Sequence, residues 1–120
     1  MIRLLLADLY DRGLKDFESL SSLEKDVFVV HDLDIYYEMK GGFEDYFLSG
    51  GRGSEISWLS ATLERIQDAE SAGITAELRR LSETDRNAMA PLCDSYFSLK
   101  ERRWDLLLKY LLTRGAEVVA

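Results

Sequence analysis

With 120 residues, 47% of them apolar and 31% charged, the chain has the size and make-up of one globular domain with a single core, which excludes a disordered tail and a disulfide-stapled miniprotein. A net charge of −7 repels nucleic acid and membrane surfaces, so neither is an expected direct partner and basic proteins are favoured instead. Cys93 is the lone cysteine and Met1 to Asp8 is too short an apolar run for a signal-peptide core, so a reducing, cytoplasmic setting is expected.

Apolar residues recur at helical spacing and strand-type alternation is scarce. The expected fold is therefore all-α: a compact single-domain bundle of five or six helices over residues 1–120. Residues 2–19 read as the first helix, with Leu5, Leu9, Leu14 and Phe17 at roughly helical intervals and Gly13 weakening its middle. Ser21 and Glu24 form a capping-box pattern that opens a second helix, from Ser22 to about Lys40. Within it Val27, Phe28, Val29 and Val30 are apolar all round, which in a helix requires neighbours on more than one side. A buried strand is the alternative; the flanking acids, and Leu33, Ile35, Tyr36 and Met39 beyond, favour helix.

Gly41-Gly42 stops that helix, since the left-handed conformation costs glycine nothing sterically. Phe43 to Leu48 reads as a short helix presenting Phe43, Tyr46 and Phe47 inward, and Ser49 to Gly53 as a flexible turn. Ser54 then caps a helix to about Ala72, carrying Trp58, Leu59, Leu63 and Ile66. Gly73 ends it, and Thr75 caps a short helix with Leu78 and Leu81. Pro91 breaks any continuous helix through 82–97. Ser98 and Glu101 form a second capping-box pattern, opening a last helix through Trp104, Leu107, Leu108 and Leu111 to a stop at Gly115.

Residues with catalytic chemistry are sparse. Gly50-Gly51-Arg52-Gly53-Ser54 lacks the Lys-Ser/Thr ending of a phosphate loop and reads as a flexible connection. His31 with Asp32 or Asp34 falls short of a transition-metal set, and Asp32-x-Asp34-x-x-x-Glu38 lies on a helix rather than in a calcium loop. Cys93 has no activating base and reads as an inert thiol; Arg79-Arg80 and Arg102-Arg103, interleaved with acids, read as solvated faces. No catalytic residue, metal or cofactor is expected. An enzyme built only from carboxylates is the reserve reading.

The charge is unevenly placed. Residues 8–45 hold eleven acids and four bases, whereas residues 46–120 hold eleven acids and ten bases. Asp34 and Glu38 lie four residues apart on one helical face, and rows of acids on helices can approximate the phosphate row of a duplex. The plain alternative is that the charge serves solubility.

The run Lys40-Gly41-Gly42-Phe43-Glu44-Asp45-Tyr46-Phe47, followed by Trp58-Leu59-Ser60-Ala61-Thr62-Leu63-Glu64-Arg65-Ile66, resembles the signature of the bacterial DNA-mimic-protein-like domain family. Asp94-Ser95-Tyr96-Phe97 and the closing Leu-rich helix fit the same layout, so the likeness covers residues 23–112. Lys40, Asp45 and Ser49 depart from that family's Asn, Gln and Asn. The resemblance implies an all-α fold and, from one characterised member, an acidic surface that imitates DNA and occupies a transcription factor's DNA-binding face. The partner-binding acidic face then expected comprises Asp26, Asp32, Asp34, Glu38, Glu44 and Asp45, beside a structural motif of Gly41, Gly42, Phe43, Tyr46 and Phe47. The expected partner is a basic protein such as a DNA-binding transcription factor, with a homodimer also allowed. The competing expectation is an immunity-type or scaffold module that binds through an apolar interface.

Overall fold

Ser21 and Glu24 close their capping box reciprocally: Ser21 Oγ accepts the Glu24 backbone N–H, and the Glu24 carboxylate accepts that of Ser21. The computed structural model, which describes residues 1–48 and 52–120, places there the start of the central helix, α2 (Ser22–Lys40). Val27 to Val30 are all fully buried, because α2 is packed on several sides. Each such side chain contributes about 1.5–3 kcal/mol when removed from water. The helix ends at Gly41, which adopts φ 73° and donates its N–H to the Tyr37 carbonyl.

Around α2 stand α1 (Leu6–Lys15), α4 (Gly53–Arg65), α6 (Met89–Ser98) and α7 (Lys100–Thr113). The short α3 (Glu44–Leu48) and α5 (Ala69–Thr84) complete the bundle, α3 seated against α5 and α6. The architecture is all-α as expected, with seven α-helices among the described residues rather than five or six. None of them is long and apolar enough to cross a membrane.

Several local expectations are corrected. Ile2–Leu5 is not helical but a strand, β1, which pairs in parallel with β2 (Ala116–Val119) in the register Ile2 to Ala116 through Leu5 to Val119. Only Leu6–Lys15 of the expected first helix forms, followed by a 3₁₀ turn at Phe17–Ser19. Gly13 in α1 is required by packing: a Cβ there would lie 2.4 Å from the buried Phe28 ring.

The helix expected from Ser54 to Ala72 is two helices. Arg52, not Ser54, precedes α4, and Gln67 turns the chain with φ 61°. Asp68 then caps α5 by accepting the Ser71 N–H. Gly73 does not end a helix and Thr75 does not begin one; both lie inside α5, where glycine's penalty of about 1 kcal/mol is outweighed by tertiary packing. Pro91 sits in the first turn of α6, where its missing N–H would have no intrahelical acceptor anyway. Ser98 and Glu101 make no capping box: the Ser98 hydroxyl donates to the Ser95 carbonyl, and Leu99 precedes α7. Of the turn expected at Ser49–Gly53, residues 49–51 lie outside the described residues, and Gly53 opens α4.

Candidate functional site

Four of the six carboxylates expected on a partner-binding face belong to α2, which sends them in different directions. At about 100° per residue, Asp26, Asp32 and Asp34 point some 80–160° apart around the helix axis. Each therefore meets a different neighbour, and each is at most 2% exposed.

Asp26 Oδ1 accepts hydrogen bonds from Trp58 Nε1 (2.8 Å), Thr62 Oγ1 (2.8 Å) and Arg65 Nη2 (2.6 Å), all on α4. Asp32 accepts from the Tyr10 hydroxyl (2.9 Å) on α1 and from Arg52 Nη1 (3.0 Å) at the start of α4. Asp34 accepts from Arg103 Nη2 (3.2 Å) and Trp104 Nε1 (2.6 Å) on α7. Burial raises the Asp32 and Asp34 carboxyls above the usual carboxylate range, with Tyr10 and Arg52, and Arg103 and Trp104, pulling the other way. Burial, then the neighbouring Asp32, raises the Tyr10 phenol. Asp26, Asp32 and Asp34 are thus corrected from partner-binding acids to internal ties: a carboxylate with donors on a neighbouring helix can be buried, and these three have them.

Asp34 and Glu38 do share a helical face, and that face is the seam with α7. Glu38, exposed, accepts from Lys100 Nζ at 2.9 Å, three residues before Arg103. The acid row of α2 is answered by a basic row of the same chain. Arg103 is fully buried, which corrects its reading as part of a solvated face. Its Nη1 also donates to the Tyr96 carbonyl (2.9 Å) and Ser71 Oγ (3.2 Å), and Ser71 donates on to Asp68 (2.7 Å). Nothing in the local pattern separates Arg103 from its solvated neighbour Arg102, except that it falls on the same helical stripe as Leu107 and Leu111.

The remaining acids stay at the surface. Asp45 is exposed, with its carboxylate 3.7 Å from Lys40 Nζ. Glu44 is half-buried and folds back over Gly42. The structural motif takes its expected inward form: Phe43 packs edge-on against Tyr96 (5.3 Å) and Tyr46 against Tyr36 (5.4 Å), while Phe47 closes the cluster. Gly41 carries the left-handed turn; Gly42 is buried without a positive φ.

One opening is apolar. Between α1 and the end of α2 lies a groove of about 210 Å³, lined by Tyr10, Leu14, Ile35, Tyr36 and Met39, with Asp32 at its base and Lys40 at one end. Leu14 (53%) and Met39 (78%) remain exposed there, unlike most large apolar residues of the chain. His31 packs edge-on against Tyr10 and Trp104, and burial holds its imidazole below the usual value. Among the described residues no three His, Cys, Asp or Glu side chains stand together as a metal-ligand set. Comparison with family models, with curated proteins and with solved structures gives no match.

Proposed function

We propose that the protein is a non-catalytic binding module that receives an apolar ridge of a partner protein in the groove between α1 and α2. The carrying observation is that Leu14 and Met39, from two helices, are left open beside the same depression. Apolar side chains gathered around a concavity favour a helix-in-groove contact. The net charge of −7 favours a partner with basic flanks, and the exposed Asp11 and Glu38 stand near Leu14 and Met39 in sequence.

A second reading, an acidic decoy for the nucleic-acid-binding surface of a regulator, is supported by the net charge and by the Gly-Gly-Phe-x-x-Tyr-Phe resemblance. It has lost Asp26, Asp32 and Asp34 to the interior, and Glu38 and Asp45 are engaged by lysines of the same chain. Of the six acids expected on that face, Glu38, Glu44 and Asp45 remain outside the core.

The test is the double variant Leu14→Asp/Met39→Asp. Both positions are exposed, so the fold is expected to hold within about 0.5 kcal/mol. Proteins retained from native extract by the parent are expected to be lost by the variant. Retention of the same set by both overturns the groove as the docking surface.

A further inference from the structure

The opposite end of α2 carries a different kind of opening. A cleft of about 480 Å³ lies where the start of α2 meets α4 and the end of α7. Leu23, in its wall, and Met39, in the apolar groove, stand about 24 Å apart along the helix at 1.5 Å per residue. The two openings are therefore separate surfaces.

Trp58 and Tyr110 supply the aromatic walls of the cleft, and Arg65, Arg114 and Asp26 its charge. Two guanidinium groups thus face one carboxylate, an excess of positive charge within a strongly acidic chain. Asp26 engages Arg65 through Nη2 alone, leaving the rest of that guanidinium without a protein acceptor among the described residues. Arg114 rests over the Tyr110 ring, 5.0 Å from its centroid, and no carboxylate pairs with it among the described residues. The hydroxyl-bearing Ser22 lines the same cleft. A guanidinium left without an acid, lining the same cleft as a second one bonded to Asp26 and Thr62, is suited to a forked contact with an oxyanion.

We propose that this cleft binds a small organic anion: a carboxylate, sulfonate or phosphate held between Arg65 and Arg114, attached to an apolar body seated on Leu23 beside Trp58 and Tyr110, whose rings already carry Arg65 (5.4 Å) and Arg114 (5.0 Å). The volume falls within the range of small-molecule sites, and the lining is more polar than most: Ser22, Asp26, Arg65 and Arg114 stand beside Leu23, Trp58 and Tyr110, which favours a charged ligand over an apolar one. The acidic field of the chain slows the approach of anions but is screened over about 8 Å at physiological ionic strength, whereas Arg65 and Arg114 act on a bound anion at contact distance.

The experiment titrates the protein with 8-anilinonaphthalene-1-sulfonate and follows the two indole N–H signals, those of Trp58 and Trp104, by NMR. The expected result is a saturable one-to-one shift of the Trp58 signal with Trp104 unmoved. Arg114→Gln, an exposed change, is expected to weaken binding about tenfold, the scale of one charge-assisted hydrogen bond. The uncharged analogue N-phenyl-1-naphthylamine is expected to bind parent and Arg114→Gln equally. The groove variant Leu14→Asp/Met39→Asp is expected to bind the sulfonate as the parent does. No saturable shift at Trp58, an affinity untouched by Arg114→Gln, or loss of binding in the groove variant would each overturn the proposal.

Discussion

Arg103 and Asp34 meet across 69 positions of sequence, 3.2 Å apart and both sealed from solvent, with the guanidinium lying 3.6 Å from the centre of the Tyr96 ring. The pair joins the middle of α2 to α7, and through Ser71 and Asp68 to the start of α5. Such a tie fixes which helices adjoin more than it adds net stability, because two charges have been taken out of water to make it. Arg103→Met leaves Asp34 charged and buried, and is expected to cost about 3–5 kcal/mol at neutral pH. Asp34→Leu/Arg103→Met is expected to recover much of that loss in urea unfolding. A double variant as unstable as the single one would show that the rest of the network, rather than the pair, sets the cost.

The carboxyls of α2 also give a pH signature. Burial holds Asp34 above the ordinary carboxylate range, so the folded chain binds that proton more tightly than the unfolded chain. Its contribution is fully present below the unfolded value and is lost as pH rises through the folded one. Glu24 has the opposite sign: Arg12, then the Ser21 N–H, hold it low against the opposing effect of burial. Its contribution is present above the unfolded value and is lost as pH falls through the folded one. The cost of Asp34→Asn should therefore be largest in acid and shrink toward neutral pH, while that of Glu24→Gln should be largest near neutral and shrink in acid. Urea midpoints measured from about pH 2, below the ordinary carboxylate values, to neutrality check this. Slopes of the same sign would contradict it.

Three glycines are expected to respond differently to the same methyl group. Gly13→Ala drives a Cβ into the Phe28 ring at 2.4 Å and is expected to destabilise by about 1–3 kcal/mol despite the better helix propensity of alanine. At Gly41 the space is open and the backbone is the constraint, so Gly41→Ala is expected to cost about 1 kcal/mol. Gly73, with open space and ordinary helical φ, is expected to gain about 0.5–1 kcal/mol as alanine. Thermal melts of the three variants should give that order.

The same helices show how much of the fold is legible in the sequence. The limits of α2 were readable because Ser21, Glu24 and Gly41 act through bonds to residues within four positions of themselves. The inward set Phe43, Tyr46 and Phe47 was readable from its helical spacing. The β1–β2 pair was not, since it joins the two ends of the chain and four residues of each strand are too few to show a period. The break at Gln67 was hidden because a non-glycine residue holds the positive φ. The acids of α2 misled for a physical reason: a carboxylate at an exposed position and one tied to a distant arginine look the same in sequence. Only the three-dimensional position of Arg52, Arg65 and Arg103 tells them apart.

Cys93 is fully enclosed, and burial pushes its thiol up to about 12. A thiol held protonated is a poor nucleophile. The native protein is expected to react with Ellman's reagent only at the rate of its own opening, and the urea-unfolded protein at once. Fast stoichiometric labelling of the native state would show that α6 opens far more readily than its packing implies.

The two readings of function separate on charge and salt. Glu38→Gln/Glu44→Gln/Asp45→Asn conserves shape and removes three negative charges from the surface around the end of α2, leaving the buried Asp34 in place. Neutralising Asp34 with them would confuse a core effect with a surface one, since Asp34 is tied to Arg103. Exposed charges act over about 8 Å at physiological ionic strength, so a partner held by them must weaken steeply as salt rises. A partner seated on Leu14 and Met39 must not, because apolar burial is insensitive to screening. For a partner that binds the parent, the triple variant is therefore expected to slow association modestly and keep most of the affinity, whereas Leu14→Asp/Met39→Asp abolishes it at any salt. Abolition by the triple variant, with parent-like binding by the Leu14/Met39 variant and a steep salt dependence of the parent complex, would transfer the docking site to the surface acids and restore the acidic decoy as the function.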